Sequence, residues 1–449
     1  MAHLADVRAG AATGVDAHRG AILHFRSDPG TSETGEAFEY WPDGLLIVEQ
    51  GRVVVAGPAA ELLGTLGADT NLIEHGERLI LPGFIDTHIH YPQTDVIGSG
   101  GAHLLDWLEK YTFPAEQRFG DAEHAREVAD FFLDELLSNG TTTAQVLGTV
   151  HKTSVEEFFS AAEARGLRMI AGKVLMDQHC PESLRDNAAD GERDSRALIE
   201  AWHGRNRLHY AITPRFAPTS SRAQLESAGR LAREFPDVFI HSHLAENRDE
   251  IAWVRELNPS ARSYLDVYDS YGLLRERAVY AHCIYLDRLD RERMAASGAC
   301  AAFSPTSNLY LGSGLFDIAA TDAAGMRFAI ATDVGGGTSF SMLRTMGEAY
   351  KVAQMLGQRL SPLRAFYLTT LGAARVLSLH DRIGNFAPGM EADFVVLDLQ
   401  STPLLARRSE QSRSLSERLL LLMTLGDDRA VAATYILGRP AISGRATLR

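Results

Sequence analysis

Three stretches of the chain carry different hydrophobic patterns. Residues 44–58 read GLLIVEQGRVVVAGP, two β-branched runs around Gln50-Gly51, which predicts a hairpin. The far end repeats the habit with ADFVVLDL at 392–399 and VAATYILGRPAIS at 431–443, the second with a turn predicted at Gly438-Arg439. Between Pro82 and Asp381 short apolar runs alternate with amphipathic ones. The short runs end at His90, Leu147, Asp177, Phe216, His243, His282, Ser304 and Asp333. In the segment 122–138, Val128, Phe131, Phe132 and Leu136 recur at helical spacing, with Asp121 placed to cap the helix and Gly140 to end it. Eight strands alternating with helices predict an α/β fold: a (β/α)8 barrel over residues 82–383. The two β-rich ends, 1–81 and 384–449, are expected to meet in one small discontinuous β-domain. The polar stretches 26–43 and 400–418 are expected to be surface loops or irregular edges, and His75-Gly76-Glu77 a polar turn before LILPGF.

Composition narrows the function. A chain of 449 residues is long enough to bury a core without staples, and 45% apolar with 23% charged residues is ordinary for a globular protein. Its formal charge is 44 − 58 = −14, which argues against a nucleic-acid binder held by a basic surface. Only Cys180, Cys283 and Cys300 are present, without a C-x-x-C pair, so no disulfide framework is expected. The start, Met1 to Asp6, lacks the basic and apolar parts of a signal peptide, and apolar runs such as 419–423 are too short for a bilayer. The expectation is a cytoplasmic protein without membrane or nucleic-acid partners.

The strongest chemical signal is Asp86-Thr-His88-Ile-His90 at the end of the first barrel strand. Side chains alternate along a strand, so His88 and His90 face the same way, about 6.6 Å apart along it, and can share a cation. Barrel enzymes gather their functional groups at strand C-terminal ends. His243, His282 and Asp333 stand at three more such ends. Four imidazoles and a carboxylate suit Zn²⁺, with Fe²⁺ or Mn²⁺ as possible users of the same ligands. A lone histidine on an apolar strand is as often a packing residue as a ligand; five donors at successive strand ends are not. His241 faces the same way as His243 but lower, so His243 is the expected ligand and His241 a supporting group. Cys283 follows His282 and should point away into the packing. The fourth strand, HYAITPRF, has no lysine to bridge a second cation, and Lys173 lies on the third strand, so one metal per chain is expected.

One Lewis-acidic metal makes hydroxide available at neutral pH, and attack on an electron-poor carbon then needs a base and an acid. Asp333, beside the metal, suits the water proton. Glu246, three residues past His243, can reach a substrate without binding metal; the competing reading is a solvated glutamate at a helix start. His75-Gly76-Glu77 matches half of the cytidine-deaminase zinc signature, but no P-C-x-x-C follows, so that chemistry is set aside.

These residues sit within longer runs: LPGFIDTHIHYPQ (81–93), LLDWLEKYTFPAE (104–116), ITPRFAPTSS (212–221), HSHLAENRDEIAWV (241–254), SPTSNLYLGSGLF (304–316) and TDVGGGTSFSML (332–343). In them the chain resembles the amidohydrolase superfamily and, within it, the guanine deaminases of bacterial type. The resemblance implies zinc-dependent hydrolytic deamination of guanine to xanthine and ammonia, hydroxide attacking C2 with Asp333 and Glu246 as proton shuttles and His282 in the catalytic set. It implies metal ligation by His88, His90, His243, His282 and Asp333. Gln93, Arg215 and Phe216 match the guanine-binding positions, with His243, Glu246 and Asp333 also facing the base. Arg215 would donate to O6, Gln93 would pair with ring nitrogens and Phe216 would cover the flat face. A homodimer is implied by the resemblance alone. Ala331 and Ser304 depart from its pattern, neither at a ligand position. Two other readings remain open: a relative acting on a different aminated ring, and a non-catalytic barrel scaffold, which would be expected to have lost ligands.

Overall fold

A computed structural model of the chain describes residues 14–32, 35–100 and 104–443. The N-terminal Met1 to Asp6 stretch and the outermost ends of the expected β-domain lie outside the described residues. Sixteen strands are described. β1 (Val15–Phe25), β2 (Phe38–Glu49), β3 (Arg52–Pro58) and β4 (Asn71–Pro82) come from the N-terminal part. The barrel strands are β5 (Phe84–His90), β6 (Thr141–Leu147), β7 (Arg168–Gly172) with its short continuation β8 (Val174–Leu175), β9 (Leu208–Pro214), β10 (Phe239–Leu244), β11 (Ala278–His282), β12 (Cys300–Phe303) and β13 (Phe328–Ile330). β14 (Phe394–Leu397), β15 (Val431–Ile436) and β16 (Arg439–Ser443) follow.

The barrel strands pair in parallel, in chain order from β5 to β13, with β8 beside β9. The two ends approach closure, since the His90 N–H donates to the Val334 carbonyl (2.7 Å) and the Asp333 N–H to the His88 carbonyl (3.0 Å). This is the predicted α/β barrel. A second, seven-stranded sheet runs β16-β15-β14-β4-β1-β2-β3 and draws strands from both parts of the chain. Its central pairing is β4 with β14, antiparallel, Ile80 opposite Val396. The predicted 44–58 hairpin turns at Gln50 and Gly51, both in left-handed backbone. The last hairpin turns at Leu437 and Gly438, one residue earlier than expected.

Four local expectations change. The helix Ala122–Ser138 forms with Asp121 as its cap, but of the four expected positions Val128, Phe132 and Leu136 are buried while Phe131 is 55% exposed. Ala125, Val128, Ala129, Phe132, Leu133, Leu136 and Leu137 make the buried stripe at i, i+3, i+4 and i+7 spacing, and Phe131 falls beside it. His75-Gly76-Glu77 is no turn: it lies inside β4, where Gly76 takes a left-handed conformation and the pairing register with β1 shifts. The segment 26–43 is partly strand, because β2 begins at Phe38. The segment 400–418 is largely helical, in Pro403–Ser409 and Leu415–Leu425, capped by Thr402 and Ser414. Those caps satisfy the first free N–H groups of each helix. The second helix buries Leu419, Leu422 and Met423 in the core cluster that also holds Leu343 and Met346 of the barrel helix Met342–Met355. Among the described residues no helix is long and apolar enough to cross a membrane.

Candidate metal and substrate site

Period-two alternation positions His243 and Asp333, whereas β5 slips in register between Asp86 and Ile89 and so presents His88 and His90 on the face opposite to the one Ile85 alone would indicate. On β10, Ile240 faces the outer core while Phe239 faces the inner apolar cluster, so His241 and His243 point inward with Phe239. β13 behaves likewise: Ala329 and Ala331 face in, and Asp333 shares their side. β11 breaks the rule. Val279 faces in and Tyr280 out, so strict alternation would send Ala281 inward and His282 outward. Left-handed backbone at His282 (φ 68°) and Cys283 (φ 52°) turns the imidazole into the site instead. Such conformations are costly for residues with a Cβ and cluster at functional sites. Asp333 (φ 53°) and Ala245 (φ 51°), between His243 and Glu246, share the feature. Cys283 points into the outer core, its thiol donating to the Tyr280 carbonyl.

The donors converge. Ligand atoms of His88, His243 and His282 lie within 4.8 Å of one another, as do those of His88, His90 and Asp333. His90 Nε2 is 3.2 Å from His243 Nε2. His88 Nε2 is 3.1 Å from Asp333 Oδ1 but has no partner in hydrogen-bond geometry. The outer ring nitrogens are held from behind. His243 Nδ1 donates to the Arg215 carbonyl at 2.6 Å, so its Nε2 lone pair must face inward. His282 Nδ1 donates to Asn308 Oδ1 at 2.9 Å, with the same consequence. His88 Nδ1 lies 2.7 Å from His241 Nε2, which puts His241 behind the cluster. Histidines anchored through one nitrogen and converging through the other are the donor arrangement of a transition-metal site. These residues therefore fit a Zn²⁺-type ion. Lys173 is not near them: its ammonium is buried against Asp186 and the Val174 carbonyl.

The electrostatics of His88, His243 and Asp333 agree. Burial, then the neighbouring His88, keeps His243 well below the ordinary imidazole range, and burial holds His88 at about 4; neutral imidazoles are the ligating form. Burial would raise Asp333, but His88 and His90 outweigh it and hold the carboxyl well below its usual range. Glu246 behaves oppositely. It is 3% exposed, and burial pushes its carboxyl up despite the nearby His282. It is thus no solvated helix-start residue. Ser313 Oγ donates to Glu246 Oε1 (2.7 Å), and Glu246 Oε2 stands 3.3 Å from His282 Nε2. The helix that follows, Arg248–Leu257, begins at Asn247 with a reciprocal cap from Glu250.

A cavity opens onto the donors and is lined by His90, Gln93, Arg215, Phe216, Glu246 and Asp333, with Leu104, Trp107, Leu108 and Leu311 as apolar walls. Every residue expected to meet substrate reaches it. Gln93 Oε1 accepts from the Gly335 N–H at 3.3 Å; a Cβ on Gly335 would stand 2.6 Å from the Gln93 carbonyl oxygen, so only glycine permits this approach. Sequence reasoning missed the wall from 104–108, Ser313 and Glu116. Glu116 accepts from Arg215 Nη1 (2.6 Å) and from Gln93 Nε2 (3.1 Å). The runs LLDWLEKYTFPAE and SPTSNLYLGSGLF contain all of them, but no spacing rule connects Glu116 to an arginine 99 residues away.

A parallel barrel with converging histidines and an acid at its strand ends, opening on a small half-apolar cavity, is the architecture of a metal-dependent hydrolase. The chain belongs to the amidohydrolase family, whose sequence model matches residues 79–441. It is 49% identical to guanine deaminase of Escherichia coli K12 over 422 residues, 94% of this chain and 96% of that protein. The solved structure of E. coli guanine deaminase superposes with a TM-score of 0.94 at 48% identity, covering 96% of this chain and all of the other. The guanine deaminase of C. acetobutylicum, solved with guanine bound in its active site, gives 0.85 at 28% identity, covering 95% and 100%.

Proposed function

We infer that the protein is a guanine deaminase, converting guanine and water to xanthine and ammonia. The observation that carries this reading is the meeting of Gln93, Arg215 and Phe216 with the His/Asp donor group around one cavity. The similarity to guanine deaminases over nearly the full chain supports it.

His88, His90, His243, His282 and Asp333 would hold one Zn²⁺, which, when bound, supplies Lewis acidity that makes a water-derived nucleophile available at neutral pH. Arg215 donates to O6 of the base, Gln93 pairs with its ring nitrogens, and Phe216 covers one face. Asp333, ionised by its imidazole neighbours, takes the proton of the attacking water. Glu246, whose raised affinity for protons comes from burial, delivers its proton to the ring and regains one from the hydroxyl of the C2 adduct as the carbonyl forms, while Asp333 passes the proton it took from water to the departing ammonia. Left-handed backbone at Ala245 supports this division, because it turns Glu246 off the strand that carries His243. The reading extends to a cytoplasmic homodimer. Three unpaired thiols, Cys180, Cys283 and Cys300, favour a reducing compartment. The shared seven-stranded sheet supports treating 1–81 with 384–449 as one domain beside the 82–383 barrel.

The test is ammonia and xanthine release from guanine by zinc-loaded protein. Absence of both would overturn the reading. Sedimentation of the same preparation checks the dimer.

A further inference from the structure

Arg215 is 3% exposed and lines the cavity, which makes it a buried cation beside a substrate that carries no charge. Buried charges require partners. Among the described residues the only carboxylate paired with it is Glu116, 1% exposed, at the end of the short helix Phe113–Glu116. The same helix supplies Phe113, whose ring lies 5.4 Å from the guanidinium centre. The two carboxylate oxygens of Glu116 are divided: Oε2 accepts from Arg215 and Oε1 from Gln93. Glu116 does not line the cavity, so it acts through its two partners.

We propose that Glu116 is a positioning and specificity residue: it holds Arg215 and Gln93 in one plane of recognition and cancels the charge of Arg215, so that the cavity favours neutral guanine over its acidic product. This rests on the guanine-deaminase reading. The bond that Gln93 Nε2 donates to Glu116 Oε1 also decides which end of that amide faces the cavity. A carboxylate can only accept, so the amide nitrogen faces Glu116 and His90 Nδ1 (3.0 Å), and the oxygen, which accepts from the Gly335 N–H, keeps its second lone pair for a ring N–H of the base. The charge argument concerns release. Xanthine has one more ring carbonyl than guanine and loses a ring proton more readily. Facing an uncompensated Arg215, its anion would be retained; facing a neutral Arg215–Glu116 pair, it is not. The other ionisable groups at the cavity, Glu246, Glu250, Asp333, His90, His243 and His282, are the same with or without Glu116.

The experiment compares wild type, Glu116→Gln and Glu116→Asp as zinc-loaded enzymes, reading guanine turnover and, by calorimetry, xanthine affinity at pH 6.5 and 8.5. Glu116→Gln is expected to lower kcat/KM for guanine while tightening xanthine at least roughly tenfold at the higher pH, the scale of one unscreened buried charge. Glu116→Asp keeps the charge but shortens the reach. It is expected to lose guanine turnover with a wild-type ratio of xanthine to guanine affinity. A structural role alone would weaken both ligands together in Glu116→Gln, and that result overturns the proposal. If Glu116→Gln does not fold, a changed affinity ratio in Glu116→Asp overturns it equally. A wild-type protein that releases no ammonia from guanine would overturn the functional reading, and this proposal with it, before any variant is compared.

Discussion

Ser313 donates its hydroxyl proton to one oxygen of Glu246, leaving the other oxygen 3.3 Å from His282 Nε2. A buried carboxyl group fixed through one oxygen leaves the other free to give and take a proton. Glu246→Gln preserves size and most hydrogen bonding but removes that capacity. It is expected to keep its metal and still bind guanine, while kcat falls about 10²–10⁴-fold. Zinc content and single-turnover rates on the purified variant check this. A variant that lost its metal, or turned over near normally, would break the assignment of Glu246.

Ser313→Ala tests the aim rather than the acid. Losing one hydrogen bond to a charged group costs about 1.5–3 kcal/mol. The orphaned Oε1 can turn toward the cavity, so kcat is expected to fall roughly tenfold or more with KM little changed. An equal loss in Ser313→Ala and Glu246→Gln would mean that the serine does more than orient.

Asp333 plays the other part. Its carboxylate lies within ion-pair distance of His88, His90 and His282, so it belongs to the donor group in a way that Glu246 does not. Asp333→Ala should lose both turnover and metal affinity. Chelation of the wild type should abolish ammonia release, and one Zn²⁺ per chain should restore it. Elemental analysis showing two metals per chain in active enzyme would contradict the single-ion reading.

Selectivity follows from Arg215. Guanine offers O6 as an acceptor, whereas adenine presents an amino group there and leaves the buried guanidinium facing a donor. An unpaired buried polar group costs about 1–3 kcal/mol, more when charged. Guanine is therefore expected to exceed adenine in kcat/KM by at least roughly tenfold. Equal values would remove Arg215 from recognition.

How much of this could be read in one dimension depended on whether local periodicity survived. His88 and His90 were legible because residues two apart share a face even beyond a slip such as the one β5 makes between Asp86 and Ile89, and His243 because β10 keeps its alternation. His282 reaches the cluster for a reason alternation opposes: only the left-handed turn at its own position brings it inside. Its selection from the sequence rested on its place at a strand end, not on its facing. Glu246 was legible by its distance from His243, yet its burial was not, since the apolar walls come from 104–108 and Leu311. Glu116 was invisible, because its meaning lies in contacts with Gln93 and Arg215 on different strand ends. Phe131 misled for the opposite reason. It stands i+3 from Val128, a spacing that elsewhere in this helix joins buried residues such as Ala125 and Val128, but it falls just past the edge of the stripe that the neighbouring elements cover.

The barrel is tied to the end sheet by a buried ion cluster, and its stability should depend on pH. Glu391, 5% exposed, accepts from Arg168 through both oxygens and from Arg207, while Arg207 also pairs with Asp393. Arg168 begins β7 and Arg207 immediately precedes β9, whereas Glu391 and Asp393 lead into β14. Burial alone would raise the carboxyl of Glu391, but the two guanidinium groups outweigh it and hold it below the ordinary carboxylate range. The unfolded chain therefore takes up this proton more readily than the folded one. The stabilisation is complete above the unfolded value of about 4.3 and is lost as pH falls through the lower folded value. Breaking a buried ion pair from one side costs on the order of 3–5 kcal/mol. Glu391→Gln should thus unfold at lower urea than wild type at pH 7, and the gap between them should close as pH drops below about 4. Urea titrations of both proteins at pH 7, 5 and 3.5 measure it. A gap that stayed constant, or widened in acid, would show that Glu391 stabilises the interface by packing instead of charge.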